Sequence, residues 1–211
     1  MQLLDIHTHH LPLHPEQAIF NYSPEMLVVE LPTYCSVGIH PWHLTADNIQ
    51  QKWDWLMLAA HHPNVLAIGE AGLDKAVDVP FDLQMDVFKR QIELSEVMEL
   101  PLIIHCVRAA NEIIELKKKI QPHMPWIIHG FRGKKEQALQ YIRHDIFLSF
   151  GERYQDDVLR IVPIDRLLLE TDESAIEISL LYEQAALIHS LPVENFSIQI
   201  QQNINAIFWG R

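Results

Sequence analysis

The stretch LLDIHTHH places His7, His9 and His10 within four positions, directly after a short apolar run. Side chains at i and i+2 of a strand share a side, so His7 and His9 can grip one ligand together while Thr8 and His10 point away. The same polar punctuation recurs along the chain. VGIHPW carries His40, AIGEAGLD carries Glu70 and Asp74, and LIIHCVRA carries His105 and Arg108; WIIHGF carries His129, and LLLETD carries Glu170 and Asp172. One such histidine is explained by a bond to a backbone carbonyl. Several histidines and carboxylates converging from different strands would repel or stay unsatisfied, and a divalent cation resolves that. Imidazole nitrogen and carboxylate oxygen are ordinary zinc ligands, and carboxylates also suit manganese or magnesium. Two ions would take about six protein ligands, with a bridging carboxylate holding them ~3.5–4 Å apart.

The elements that must position these groups are short apolar runs alternating with helical patterns. Strands are expected at 3–7, 35–40, 65–69, 102–107, 126–129, 146–150 and 167–170. Helices are expected at 45–60, 80–99, 111–120, 134–143, 152–161, 173–189 and 194–208. The second places Phe81, Met85, Phe88 and Ile92 on one face; the last carries the stripe Phe196, Ile200, Ile204, Ile207. Alternation of this kind predicts a parallel sheet covered on both faces. The expected fold is α/β, a small or distorted TIM-like (β/α) barrel of seven or eight strands with a metal site at the C-terminal mouth of the strands. An open doubly wound sheet is the alternative. Residues 11–34 hold four prolines and no helix pattern, so one unit is expected to be abbreviated, with an irregular strand pair around 18–21 and 26–31.

With 211 residues, 48% of them hydrophobic, the chain reads as one domain, 1–211, with a single core. No apolar run reaches the ~18–20 residues of a membrane span. Asp5 interrupts the first apolar run, which argues against a signal peptide. Cys35 and Cys106 read as reduced thiols, and a cytoplasmic location follows. The net charge is −12, and the 16 Lys and Arg are scattered apart from 117–119 and 134–135. A broad grip on nucleic acid is therefore excluded; a polyanion would have to be held locally.

The motifs DIHTH, VGIHPW, AIGEAGLD, LPLIIHCVRA, IIHGFRG, IFLSFG and RLLLETD run in this order from Asp5 to Asp172. Together they resemble the TatD family of metal-dependent hydrolases, and the closing NINAIF resembles that family's last helix. The resemblance implies metal ligands at His7, His9, Glu70, His105, His129 and Asp172. Glu70 would bridge two ions, with His7, His9 and Asp172 completing one shell and His105 and His129 the other. It also implies metal-dependent DNase activity, often 3′→5′, with Asp172 and Glu70 as the catalytic carboxylates and Asp172 placed to take a proton from the attacking water. The chain departs from the family in its short 11–34 segment, in its length and in ETDESAIEIS, where the family commonly has Ser-Pro after ETD.

The chemistry expected is hydrolysis of a phosphoester in a DNA end or a small molecule, with no membrane and no obligate protein partner. Arg108 can bind a phosphate or serve an ion pair at a helix start. His40 can contact substrate or hold a turn with Pro41 and Trp42. Asp74 is expected to be structural, and Asp5 to support His7 from deeper on the same face. Two divalent ions would still leave a net charge of about −8, which favours a strand end or short oligonucleotide over an extended duplex. A metal-dependent amidase or esterase, and a metal-binding protein without catalysis, are the rival readings.

Overall fold

The computed structural model describes residues 5–25 and 31–210. Eight strands are present among them: β1 (Asp5–Thr8), β2 (Ala18–Tyr22), β3 (Cys35–Val37), β4 (Val65–Asp74), β5 (Leu102–Val107), β6 (Trp126–Ile128), β7 (Ile146–Phe150) and β8 (Leu167–Leu169). Seven helices accompany them: α1 (Ile49–Ala59), α2 (Phe81–Met98), α3 (Ala110–Ile120), α4 (Lys135–Arg143), α5 (Asp156–Ile161), α6 (Ile178–Ile188) and α7 (Val193–Phe208). Strands neighbour one another in chain order, which fixes the count at eight where the sequence left seven or eight open. The expected strand at 18–21 is β2; of its expected companion at 26–31, residues 26–30 lie outside the described residues, as do residues 3–4 of the first expected strand. No helix of the described residues is long and apolar enough to cross a membrane. Among the described residues Cys35 and Cys106 form no disulfide, and burial pushes the Cys35 thiol up to about 12.

The chain divides into a terminal unit, residues 1–20 with 127–211, and a central unit, residues 21–126. In the terminal unit β7 pairs in parallel with β8, from Leu148↔Leu167 to Phe150↔Leu169. Beyond β8 the chain pairs with β1: the Asp172 N–H donates to His7 O at 3.0 Å, and Asp172 O accepts from the His9 N–H at 2.9 Å. β1 in turn pairs with β2 at Asp5↔Ala18 and Thr8↔Phe20. Every residue of β1 and β8 is buried, the apolar Leu167–Leu169 of β8 and, in β1, the polar Asp5, His7 and Thr8 beside Ile6. The expected stripe of α7 is buried in full, each side chain contributing roughly 1.5–3 kcal/mol. Buried Asn203 on the same helix donates to Ile164 O and Leu167 O at 2.7 and 2.9 Å, fixing the start of β8.

In the central unit β3, β4 and β5 pair in parallel, and α2 packs on β4. β4 runs to Asp74, beyond the expected end at 69. Gly72 allows it: a Cβ there would stand 2.0 Å from His105 O, so only glycine lets β4 pass this close to β5. α2 buries only half of the face expected of it, Phe88 and Ile92. Gln84 and Gln91 are buried beside Val87, Phe88 and Ile92, while Phe81 and Met85 are only partly covered. Other boundaries also move, among them the start of α5, from 152 to 156, and three more have a visible cause. β3 stops at Val37 because a side chain of α2 takes over the backbone of Ile39. α1 starts at Ile49 because Asn48 bonds Thr45 N–H and His43 O, holding 45–48 in a turn. α6 starts at Ile178 because Ser174 holds the preceding residues in a turn, its N–H on Thr171 O at 2.9 Å and its hydroxyl accepting the Ile176 N–H at 3.2 Å.

Candidate metal centre

The terminal unit carries one donor set at its strand ends. Asp172 is bracketed by the two backbone bonds to His7 and His9, so a β-bridge alone brings three expected ligands side by side. Asp172 Oδ1 lies 3.6 Å from His9 Nε2 and 3.9 Å from His7 Nε2. Donors arranged tetrahedrally at ~2.1 Å around a zinc ion stand roughly 3.4 Å apart, so this spacing fits a cation better than a direct hydrogen bond. The other carboxylate oxygen, Oδ2, faces the Arg132 guanidinium at 3.6 Å. His129 packs on His7 with ring centroids 4.5 Å apart, and its Nδ1 bonds Glu170 Oε1 at 3.2 Å. That bond assigns the ring proton to Nδ1 and leaves the lone pair on Nε2, as a nitrogen that is to coordinate a cation needs. Glu170 also accepts from the Gly130 N–H at 2.6 Å. Burial works to raise the Glu170 pKa, but the bond and charge of His129 and the charge of His7 outweigh it, so the carboxyl stays below its ordinary value.

Beneath this set sits Asp5. Its Oδ1 accepts the backbone N–H groups of His7 and Thr171 at 3.2 and 3.1 Å, and its Oδ2 accepts the Thr171 hydroxyl at 2.7 Å. Asp5 thus clips β1 to the segment after β8. Burial drives its pKa up to about 7 against those hydrogen bonds, with the charge of Glu170 adding to the rise. His10 is exposed and bonds Glu173 O at 3.0 Å, outside the donor set as its facing predicts.

The central unit carries a second donor set, His40, Glu70 and His105, whose ligand atoms lie within 4.8 Å of one another. Glu70 is buried and held by side chains. Its N–H donates to Asn21 Oδ1 at 3.1 Å, and Asn21 Nδ2 returns to Glu70 Oε2 at 3.4 Å. His40 starts a 3-10 turn, Pro41–His43, and its Nδ1 accepts the Trp42 N–H at 3.2 Å. The ring proton is therefore on Nε2, which donates to Glu70 Oε1 at 3.1 Å. In this arrangement His40 orients Glu70. His105 lies between two carboxylates, Nδ1 at 2.8 Å from Glu70 Oε1 and Nε2 at 3.1 Å from Asp74 Oδ2. With its proton given to Asp74, the neutral ring turns a lone pair toward Glu70, an arrangement that a shared cation resolves.

Two buried glutamines of α2 steady this set from behind. Gln91 bonds both the N–H and the carbonyl of Ile39, at 2.7 and 3.1 Å, just before His40. Gln84 does the same for Asp74, at 2.8 and 2.9 Å. Asp74 is buried and also accepts from Trp42 Nε1 and the Ala76 N–H, at 2.6 and 2.7 Å. Burial works to raise its pKa, and these donors with His105 bring it below the ordinary carboxylate value.

The structure thus gathers His7, His9, His129 and Asp172 in one unit and His40, Glu70 and His105 in the other. Arg108 is exposed, left-handed at φ 55° in the turn after β5. Sequence reasoning passed over Asn21, Gln84, Gln91, Thr171 and Arg132. Only Arg132 carried a signal, as the cation of IIHGFRG three residues past His129.

The family described as TatD related DNase matches residues 22–208. Over 148 residues the chain is 34% identical to an uncharacterized metal-dependent hydrolase, YabD, of Bacillus subtilis (strain 168), covering 66% of this chain and 58% of that protein. Over 155 residues it is 32% identical to a 3′-5′ ssDNA/RNA exonuclease TatD of Rahnella sp. (strain Y9602), covering 68% of this chain and 59% of that one. The matched regions therefore span less than two thirds of either relative's length. The crystal structure of YJJV, a TatD homolog from Escherichia coli K12, gives a TM-score of 0.80 over 99% of each chain at 21% identity. That likeness shows the fold, the TIM-like (β/α) barrel expected from the sequence. With the family match running over most of its length, the chain belongs to the TatD-related DNase family.

Proposed function

We propose that this chain is a metal-dependent phosphodiesterase that acts on DNA ends or short oligonucleotides with two divalent ions, zinc, manganese or magnesium. The observation that carries the reading is the pairing of imidazoles with a carboxylate in each donor set, at spacings suited to a cation. The relatives' names, a metal-dependent hydrolase and a 3′-5′ exonuclease, point to the same chemistry. His7, His9 and Asp172 are the ligands read from the terminal unit. Glu70, His105 and His129 keep the ligand roles implied by the family motifs.

Divalent ions supply Lewis acidity for a phosphoryl oxygen and make water more acidic. The protein does the rest. Asp172, held by Arg132 on Oδ2, takes the proton of the attacking water. Glu170 keeps His129 in one tautomer, and His40 keeps Glu70 oriented. Arg108 meets a substrate phosphate from the exposed turn after β5. The net charge of −12 confines binding to the neighbourhood of the metal centre, hence the preference for ends and short strands. Residues 1–211 act as one catalytic domain, in the cytoplasm.

The test combines metal analysis of the purified protein with end-labelled single-stranded oligonucleotides and manganese, magnesium or zinc. Stepwise shortening that stops on chelation is expected, with His7→Ala and Asp172→Ala each lowering kcat/KM about 1,000-fold or more. Metal binding without phosphodiester cleavage, turnover of amides or lactones instead, or full activity in either variant would overturn the reading.

A further inference from the structure

Trp42 stands in the 3-10 turn that follows His40, and 52% of its surface is open to solvent. An exposed indole normally turns freely. Here both ends are fixed. The backbone N–H is on His40 Nδ1 at 3.2 Å, and the ring N–H is on Asp74 Oδ2 at 2.6 Å. Asp74 is itself buried and clipped by Gln84. The ring meets two imidazoles of the central donor set edge to face, His40 at 5.0 Å and His105 at 5.7 Å between centroids. Asp74 Oδ2 accepts from both Trp42 and His105, so one oxygen sets the place of the indole and of a proposed metal ligand.

A fixed, half-open aromatic plane beside a phosphodiester-cleaving centre is what a base needs to stack on. Every base offers a π-face, so stacking holds a strand without reading its sequence. A ring already immobilised loses little freedom when the base arrives. The acidic surface makes such a contact more valuable, since the chain has few cations to spare for neighbouring phosphates. We infer that the indole of Trp42 is a stacking platform for a nucleobase of a single-stranded substrate, making it a binding residue next to the metal centre. The inference rests on the phosphodiesterase reading above and names what lies beside the scissile phosphate.

Two measurements test it on the metal-loaded protein. The first compares kcat/KM for a single-stranded oligonucleotide with that for the same strand carrying abasic residues at the cleaved end. Trp42→Ala is expected to lower the normal-to-abasic ratio about tenfold, and Trp42→Phe to restore most of it. An unchanged ratio overturns the inference, even where both substrates slow together, because that pattern reports only lost support for Asp74 and His105. The second measurement needs no turnover: a deoxynucleoside monophosphate is titrated while intrinsic tryptophan fluorescence is followed. Quenching that disappears in Trp42→Phe supports the platform, and identical quenching in both proteins overturns it. Should the unaltered protein cleave no oligonucleotide, the functional reading fails and the fluorescence titration still decides the stacking.

Discussion

The two donor sets use the same chemical groups and hold them by different means. In the terminal unit the placement is done by main chain: Asp172 is bonded through its own N–H and carbonyl to His7 and His9, and its side chain is 20% exposed. In the central unit the placement is done by side chains: buried Glu70 is gripped by Asn21, His40 and His105, with two glutamines of α2 behind them. A backbone-set ligand can be trimmed without disturbing its neighbours. A carboxylate that is also the acceptor for the side chains of Asn21 and His40 cannot.

The sharpest way to break this contrast is to remove one carboxylate from each set and measure stability by denaturant unfolding in chelator. Glu70→Ala is expected to cost about 3 kcal/mol, since buried polar groups lose their acceptor, whereas Asp172→Ala should cost less than about 1 kcal/mol. Equal losses would erase the distinction. A second comparison pits one helix amide against another. Gln91→Ala should weaken zinc binding about tenfold as well as stability, because Ile39 leads directly into His40. Asn203→Ala, which frees carbonyls at the start of β8, should lower stability and leave zinc affinity within about twofold. Titration calorimetry checks both, and a matching fall in affinity for Asn203→Ala would show that the terminal set is less self-sufficient than its backbone bonds suggest.

The smallest effect concerns Asp5. Its folded pKa of about 7 lies above the model-peptide value of 3.8, so between those limits the folded chain binds the extra proton. The Asp5 contribution is therefore favourable at acid pH and is lost as pH rises toward and through about 7. Asp5→Asn, which cannot titrate, should gain melting temperature relative to the parent across that window, by several degrees, in metal-free protein. A flat difference between the two curves would remove Asp5 as the titrating group.

Much of this was legible beforehand. The i, i+2 spacing of His7 and His9 and the apolar runs before Glu70, His105 and His129 announce strands with chemistry at their ends. Asp172 was legible as a carboxylate just past a strand end but not as part of a bridge, because a left-handed residue beyond a strand leaves no periodic trace. The glutamines were hidden for a different reason. Polar residues on a helix read as solvent-facing, and Gln84 and Gln91 are buried only because backbone groups from β4 and the turn before His40 reach them. Asn21 falls in the strand expected at 18–21, but a single asparagine in a strand gives no sign of the distant groups its amide will bond. The end of β4 was misplaced because glycines 69 and 72 look like a turn and instead permit close packing.

The clip between Asp5 and Thr171 joins residues 166 positions apart in the chain. The central set needs a shorter closure, 35 positions from Glu70 to His105. During synthesis or refolding the two sets therefore mature at different times. The central carboxylate can meet its histidines while most of the terminal unit is still missing, whereas His7 and His9 must wait for the segment at 172. Completion of the terminal set is thus a late event, and its assembly marks a chain whose two distant segments have already found each other.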